Sequence, residues 1–236
     1  MAVWAASRFQ GTSDRGEYGD AIEELDWSVG EILQTLRQLG LDQKTWVVFT
    51  SDNGPWLPYK QAGGSAGPLR DGKNSHCEGG FRVPCIMWGG MVKPGHITQM
   101  GSTLDLLPTC CEMAGIDLPA GVELDGVSLL NVLQDSRATP KRENFFFYRG
   151  SQFYAVRKGK YKLHYRNKSA YGNDPVVVYD KPRLYDLGTD PSEKYDIAAQ
   201  HPEVVKDLDE MAAAHKASFK VAESILNADR FVILLT

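Results

Sequence analysis

The first half of the chain alternates amphipathic and apolar segments in the order expected of an α/β domain. Apolar residues recur at helical spacing over residues 20–39, and Gly40 follows as a helix-ending residue. The apolar run at 46–49 then predicts a buried strand over residues 45–50, because a short apolar run bounded by a polar turn is typical of a central strand. Helix, short loop and buried strand in this order favour an α/β fold.

The segment that follows contains one long loop and three further elements. Residues 54–80 are rich in glycine and proline and lack apolar periodicity, and a loop of this length inside a compact domain is usually functional. Beyond it, the pattern predicts a strand over 82–88, a helix over 103–114 and a short helix over 127–133.

After residue 140 the pattern changes to short strands separated by turns, which predicts an antiparallel meander. These strands are expected at residues 145–148, 153–157, 161–165, 176–179 and 183–186. Pro202 begins a final helix that can pack on this sheet. Its apolar positions are Val205, Leu208, Met211 and Ala212. We therefore divide the chain into an α/β part at 1–140 and a small antiparallel subdomain at 141–236. The apolar end, residues 231–236, could form an extra strand or result from a shifted reading frame.

The composition is that of an ordinary globular protein, and it narrows the range of partners. The chain of 236 residues is 42% hydrophobic and 24% charged, with a net charge of −4. A nucleic-acid-binding protein would show a basic stripe, so this charge argues against nucleic acid as a partner. No apolar run approaches the ~20 residues that a transmembrane helix needs.

Two oxygen-bearing side chains follow the strand predicted at 45–50. The sequence Thr-Ser-Asp-Asn-Gly at 50–54 places Asp52 and Asn53 just past the carboxyl end of that strand, which is the edge at which open α/β sheets bind ligands. A carboxylate beside an amide oxygen suits a hard cation such as calcium or magnesium. The same residues also suit a simple turn, so this segment alone leaves both interpretations open.

A second segment places a cation on a glycine-bounded loop. Residues 72–84 read Gly-Lys-Asn-Ser-His-Cys-Glu-Gly-Gly-Phe-Arg-Val-Pro and include Lys73 and His76. The two adjacent glycines permit backbone angles that are closed to other residues. We interpret Glu78 and Arg82 as a scaffold that fixes the loop by pairing or by bonding to the backbone.

Together with further segments in the same order, these motifs resemble the sulfatase family, of the arylsulfatase and N-acetylgalactosamine-6-sulfatase type, within the alkaline-phosphatase-like superfamily. The matching segments lie at residues 18–20, 23–26, 50–54, 72–73, 78–84, 105–109, 125–129, 184–187 and 190–191. Any one of them alone is weak evidence, whereas their order and spacing together make the match strong. The resemblance implies an α/β fold that is the C-terminal part of an alkaline-phosphatase-like sheet sandwich, followed by a small antiparallel sheet with a C-terminal helix.

The resemblance also implies an activity and a set of site residues. The activity is calcium-dependent hydrolysis of a sulfate ester of an aromatic, sugar or steroid alcohol, which releases inorganic sulfate. Asp52 and Asn53 match metal ligands of the family, and the calcium they help to hold acts as a Lewis acid. Lys73 matches the sulfate-contacting lysine, so it is the candidate catalytic and substrate-binding cation that stabilises charge as the S–O bond breaks. His76 lies on the same loop without a counterpart in the family, and we expect it at the surface or at the rim of the substrate site. Family members are periplasmic, secreted or lysosomal, but the chain itself does not indicate its compartment.

Part of the family's active site has no counterpart in this sequence. Sulfatases carry a Cys/Ser-x-Pro-x-Arg motif whose first residue is oxidised to formylglycine, the nucleophile, and no cysteine or serine of this chain has that context. The paired aspartates of an early strand and a histidine-containing segment have no counterpart either. We therefore expect a C-terminal fragment of a sulfatase that is inactive alone. It should bind metal weakly, because two neighbouring ligands do not satisfy a cation that takes about six to eight oxygens.

Two other functions remain open. A phosphate or phosphonate ester hydrolase of the same superfamily shares the metal and nucleophile geometry, although the arylsulfatase-like segments after residue 100 weigh against it. A non-catalytic remnant could instead bind a sulfated ligand or a partner subunit, but the acidic net charge disfavours polyanions. We also expect the strand at 45–50 to have an unpaired edge that favours self-association.

Overall fold

The computed structural model describes residues 4–171 and 174–219. The apolar end at 231–236, and with it the predicted extra strand, lies outside these residues. None of the helices in the described ranges combines the length and apolar character that crossing a bilayer requires.

The first part of the chain mixes helices and strands, as predicted for an α/β fold. Its elements are α1 (Gly16–Gln38), β1 (Val47–Thr50), a 3-10 helix (Leu57–Gly63), α2 (Glu78–Phe81), β2 (Cys85–Trp88), a 3-10 turn (Thr103–Asp105) that continues into α3 (Leu106–Ala114), and α4 (Leu130–Gln134). Each element predicted from the pattern is present, with bounds that shift by a few residues.

The second part is all antiparallel sheet and one helix. Its elements are β3 (Asn144–Arg149), β4 (Gln152–Lys158), β5 (Tyr161–Asn167), β6 (Val177–Asp186) and α5 (Pro202–Ser218). The strands pair in chain order, β3-β4-β5-β6, which confirms the predicted meander.

The strand that leads to the candidate metal ligands is less buried than predicted. β1 pairs antiparallel with β2, with Val47 opposite Trp88 and Thr50 opposite Cys85. All four residues of β1 are half-buried, and Ile86 on β2 is 64% exposed. The prediction of a buried strand is therefore wrong for the described residues. In the described part of the chain this sheet has two strands, so their apolar side chains keep contact with solvent.

Helix α1 confirms the predicted periodicity but begins four residues earlier than residue 20, at Gly16. Its apolar stripe is largely exposed: Ile22 is 46%, Leu25 45% and Ile32 57% accessible. An amphipathic helix normally buries such a stripe against a core. In the described chain, this stripe instead remains exposed to solvent as an apolar patch.

Strand β6 joins the two strands that were predicted separately at 176–179 and 183–186. Val177 and Val178 pair with β5 at one end, and the residues from Arg183 onward pair with it at the other. Pro182 lies in the unpaired stretch between them. A proline without an N–H is tolerated there, because β6 is an edge strand and its register is irregular at this point.

Helix α5 packs on the second sheet and forms the main core. The buried members of this core are Val156, Leu163, Leu184, Leu208 and Ala212, with Val205 and Met211 packed against them. The predicted apolar face of the helix is therefore confirmed. Burial of a leucine side chain such as Leu208 contributes about 1.5–3 kcal/mol.

A buried ionic cluster attaches the glycine-rich loop to this sheet. The ammonium of Lys162, on β5, lies 3.0 Å from Glu78 Oε1 and 3.2 Å from Glu193 Oε1, and all three side chains are almost fully buried. Arg157, on β4, contacts the other carboxylate oxygen of Glu78 at 3.1 Å. His164 Nε2 lies 2.7 Å from Glu193 Oε1. Two carboxylates thus meet one lysine and one arginine, so the cluster is balanced when His164 is neutral.

Backbone hydrogen bonds reinforce the cluster and hold its charges in place. The amide of Glu78 donates to Glu193 Oε2 at 2.6 Å, and Arg70 donates to the carbonyl of Glu193 at 2.9 Å. Burial alone would raise the pKa of Glu193, but the Lys162 ammonium and the His164 ring lower it to about 2. Burial would lower the pKa of Lys162, yet its two carboxylate partners raise it above the usual value. The Glu78 side chain thus pairs with Lys162 and Arg157 of the sheet, while its carbonyl accepts a hydrogen bond from the Arg82 amide at 2.7 Å.

A second buried ion pair joins two of the family-like motifs to the second part of the chain. Asp105 accepts from Arg142 Nε at 3.0 Å and from the amides of Ser102 and Val127 at 2.8 and 2.9 Å. Arg142 also donates to the carbonyl of Asp125 at 2.9 Å. The motifs at 105–109 and 125–129 therefore have a structural role, since both bind Arg142.

Replacing Lys162 by methionine should destabilise the protein by about 3–5 kcal/mol, because the substitution leaves the Glu78 and Glu193 carboxylates buried without their shared counter-ion. The free energy of unfolding in urea, followed by circular dichroism, measures this effect.

Lys158→Met is the matched control on the neighbouring strand. Lys158 pairs with Asp207 at 2.8 Å, but the two side chains are 42% and 55% exposed, so the loss should not exceed about 1 kcal/mol. Equal losses for the two substitutions would contradict the structural importance of the buried cluster.

Candidate active-site loops

The two segments that the sequence singles out lie side by side. The turn after β1 contains Asp52 and Asn53, and its Gly54 donates through N–H to the carbonyl of Gly80 at 3.0 Å. The amide of Lys73 donates to the carbonyl of Pro55 at 2.8 Å. These two backbone hydrogen bonds fix the lysine-bearing loop against the turn with the two candidate metal ligands.

This contact requires glycine, because backbone meets backbone there. A Cβ on Gly54 would lie 1.7 Å from the carbonyl oxygen of Gly79, and a Cβ on Gly79 would lie 2.1 Å from that of Asp71. No side chain fits in such a space. The glycines of the motif thus serve close approach of two chain segments.

Asp52 and Asn53 present oxygens that suit a hard cation, but they do not complete a metal site. Asp52 is exposed and Asn53 is half-buried. Asn53 donates through Nδ2 to the carbonyl of Gly54 at 2.8 Å, a bond that does not use its Oδ1. Within the described residues, no group of three or more His, Cys, Asp or Glu side chains could hold a metal ion. This pair therefore fits the chemistry of calcium while falling short of the about six to eight oxygens that it takes.

Lys73 is half-buried, and an aromatic ring positions its ammonium. Its Nζ lies 5.5 Å from the centroid of the Trp56 ring, within the range of a cation–π contact. Trp56 in turn packs on Tyr59, with ring centroids 4.4 Å apart. The ammonium thus has a defined position on the loop and could contact an anion.

His76 is buried, so the expected surface or rim position is wrong. It is 3% exposed and stacks on Tyr154, with ring centroids 3.8 Å apart. Its Nε2 lies 3.3 Å from the carbonyl of Tyr148, whereas Nδ1 has no hydrogen-bond partner among the described residues. Burial lowers the pKa of His76 to about 4. The loop turns this ring towards the second sheet, and its substrate-binding role stays a prediction.

Sequence reasoning missed Lys162 and Glu193, which hold the loop in place. The signal for the first was available: Lys162 and His164 occupy alternate positions of β5, so both point to the same face of the sheet. The signal for Glu193 was weak, because this residue lies in a turn after β6 and meets the loop only in the folded chain.

Two family models match the chain. The sulfatase model matches residues 3–116, and the model of the C-terminal region of aryl-sulfatase matches residues 140–233. Arylsulfatase A of Homo sapiens is 36% identical, over 88% of this chain and 45% of that protein. N-acetylgalactosamine-6-sulfatase of Homo sapiens is 32% identical, over 98% of this chain and 49% of that protein. The chain belongs to the sulfatase family, and it spans about half the length of the curated relatives it matches.

Solved structures show the same fold. The PsFucS1 sulfatase from Pseudoalteromonas sp. superposes with a TM-score of 0.82 at 26% identity, over 90% of this chain and 45% of that chain. A protein from a Bacteroides thetaiotaomicron locus for the metabolism of multiple glycosaminoglycans gives a TM-score of 0.74 at 32% identity, over 89% of this chain and 47% of that chain. The predicted alkaline-phosphatase-like fold class is therefore confirmed. A phosphonate monoester hydrolase from Silicibacter pomeroyi, at 20% identity and a TM-score of 0.59 over 88% of this chain and 41% of that chain, shares the fold alone.

Acid should destabilise the protein as the pH falls from about 6.5 to about 4, because His76 binds a proton more readily in the unfolded chain. The folded pKa lies at about 4, below the ordinary value of 6.5, so stability rises with pH across this window, by up to about 3 kcal/mol. His76→Phe keeps a ring on Tyr154 and should reduce this pH dependence. Urea unfolding at several pH values across the window measures it.

The exposed Val122 offers the control, Val122→Phe, which introduces the same ring without removing a titratable group and should leave the slope of stability against pH unchanged. His164, whose pKa burial also lowers, contributes equally to all three proteins. An unchanged slope in His76→Phe would contradict the assignment of this titration to His76.

Proposed function

We propose that this chain supplies the C-terminal part of a sulfatase active site, which hydrolyses a sulfate ester of an aromatic, sugar or steroid alcohol to the alcohol and inorganic sulfate. The observation that carries the proposal is the docking of the Lys73 loop on the turn with Asp52 and Asn53 through two backbone hydrogen bonds. Membership of the sulfatase family supports the reaction class.

Each of the three residues has a separate task in this proposal. Lys73 places a positive charge on the sulfate oxygens or on the leaving-group oxygen, and this charge lowers the energy of the transition state as the S–O bond breaks. Asp52 and Asn53 bind calcium through their side-chain oxygens. When bound, calcium supplies Lewis acidity that withdraws charge from the sulfate group. The glycine contact between the two loops keeps the lysine and the metal ligands at a fixed separation.

The remaining parts of the active site must come from outside this sequence. The formylglycine nucleophile requires a Cys/Ser-x-Pro-x-Arg motif that these residues do not contain, and the candidate metal pair is an incomplete set of ligands. We therefore propose that the chain alone does not turn over a sulfate ester and binds calcium weakly.

A phosphonate or phosphate ester hydrolase is the second candidate. A phosphonate monoester hydrolase has the same fold, and a tetrahedral phosphonate ester would meet the same lysine and metal ligands. The identity to sulfatases is higher, at 36% with human arylsulfatase A against 20% with that hydrolase, so we favour the sulfate ester.

Substitution of Lys73 tests the proposal in the full-length gene product, obtained by extending the reading frame upstream. Lys73→Gln should lower kcat towards 4-nitrophenyl sulfate by about 10²–10³-fold, because a transition-state charge contact is lost. Chelation of divalent cations should abolish turnover, and added calcium should restore it.

Lys60→Gln is the matched control, since Lys60 is an exposed lysine of the same long loop and its loss should leave kcat unchanged. Faster hydrolysis of a 4-nitrophenyl phosphonate ester would favour the second candidate. A full-length gene product without the Cys/Ser-x-Pro-x-Arg motif would overturn the hydrolytic proposal, and turnover by the chain alone would overturn its proposed inactivity.

We also propose that the chain alone self-associates through the edges of the β1–β2 sheet. This sheet has two strands in the described chain, so both of its edges offer free backbone groups. Ile86 on β2 is 64% exposed beside them. The edge strand β6 of the second sheet contains Pro182, which has no N–H to donate to an added strand.

Ile86→Lys should shift the purified chain towards the monomer, because a charge on the strand opposes edge-to-edge pairing. Sedimentation velocity over a range of concentrations measures this shift. The control is Ile116→Lys, since Ile116 is 61% exposed but lies after α3, away from any strand. A chain that is monomeric at all concentrations would contradict the proposal.

A further inference from the structure

A second cationic site lies between the glycine-rich loop and the residues in and after the end of β6. An open cavity of about 700 Å³ is lined by Arg70 from this loop, Arg183 from β6 and Lys194 from the turn that follows β6. Asp52, Asn53 and Lys73 are not among the described residues that line it. The cavity therefore shares the glycine-rich loop with Lys73, but the candidate catalytic and metal-binding side chains do not line it.

The cavity has an excess of positive charge. Glu193 is the one carboxylate among its described lining residues, and this side chain is fully buried beside Lys162 at 3.2 Å and His164 at 2.7 Å. Its charge is thus already compensated from the interior. The three cations therefore have no further carboxylate among the described residues that line the cavity.

Two of these cations are held in position by neighbouring groups. Arg70 donates through one N–H to the carbonyl of Glu193 at 2.9 Å. Since a guanidinium has five donors, further N–H groups remain for a ligand. The guanidinium of Arg183 lies over the ring of Tyr179, 4.3 Å from its centroid.

None of the three cations forms an ion pair in the part of the chain that the structure describes; its ion pairs involve other lysines, arginines and histidines. Arginine forks bind planar or tetrahedral oxyanions through paired, charge-assisted hydrogen bonds. Unpaired, partly fixed cations around a concave surface are the arrangement that such an anion requires.

We propose that this cavity binds a sulfate group of a substrate that carries more than one, separate from the ester held at Lys73. The ligand class is therefore a multiply sulfated saccharide, one of whose sulfate groups occupies the cavity while another lies at the active-site loops. The choice of a sulfated saccharide as substrate rests on the proposed function. Binding of this saccharide to the chain can be measured without turnover.

The test is calorimetric titration of the chain with a chondroitin 6-sulfate tetrasaccharide at constant ionic strength. The double variant Arg183→Gln/Lys194→Gln should raise the Kd about tenfold, because two charge-assisted contacts are lost. The matched control, Lys181→Gln/Lys206→Gln, removes the same charge from exposed positions on β6 and α5 and should leave the Kd nearly unchanged. Circular dichroism verifies that both variants are folded.

Several results would overturn the proposal. They are an undetectable affinity of the unsubstituted chain for the tetrasaccharide, an equal loss of affinity in the two double variants, and equal binding of the unsulfated tetrasaccharide. Inorganic sulfate that binds as tightly as the tetrasaccharide would also overturn it, since the cavity would then hold free sulfate and not a substituent of a saccharide.

Lys73→Gln separates this inference from the proposed function. If Lys73→Gln weakens binding and the cavity variant does not, the cavity is no substrate site while the role of Lys73 stands. If the cavity variant alone weakens binding, the cavity is supported and the substrate contact of Lys73 fails.

Discussion

The position of the glycine-rich loop depends on the buried ionic cluster, in which two carboxylates, one lysine and one arginine are removed from water together. Isolated burial of either charge would cost several kcal/mol, and the close contacts within the cluster offset this cost, among them those of Lys162 with Glu78 and Glu193 at 3.0 and 3.2 Å. Because the partners come from the loop, the sheet and the turn after β6, the cluster forms only in one relative arrangement of the three segments. The cluster therefore fixes the position of the loop more than it adds to the free energy of unfolding.

From this cluster a continuous series of contacts leads to the candidate site. Glu78 begins the short helix α2, whose Gly80 accepts the hydrogen bond from Gly54. Gly54 ends the turn that presents the candidate metal ligands. The position of Asp52 and Asn53 relative to Lys73 therefore depends on an ion pair at the far end of the loop. The second buried ion pair, between Asp105 and Arg142, likewise holds the motif at 105–109 against the beginning of the second part of the chain.

Local signals in the sequence predicted the elements well, because periodicity and turn residues act over short distances. Helix α5, the meander and the glycine-bounded loop all follow from such signals. Two predictions failed for a non-local reason. The apolar run of β1 predicts burial, yet burial depends on which other strands flank it, and among residues 4–171 and 174–219 β2 is the one strand that does so. His76 resembles a solvated loop residue, but the loop turns inward and stacks this ring on Tyr154.

The ionic cluster also sets an order for folding during synthesis. Its contacts join residues that are 84 positions apart, between Glu78 and Lys162, and 115 positions apart, between Glu78 and Glu193. Contacts of such separation form late, since the entropy of closing the intervening chain must be overcome first. A nascent chain that has not yet passed Glu193 lacks the carboxylate that shares Lys162 with Glu78 and accepts a hydrogen bond from the Glu78 amide. The loop with Lys73 therefore reaches its final geometry only after Lys162 and Glu193 have both emerged and the C-terminal sheet has formed.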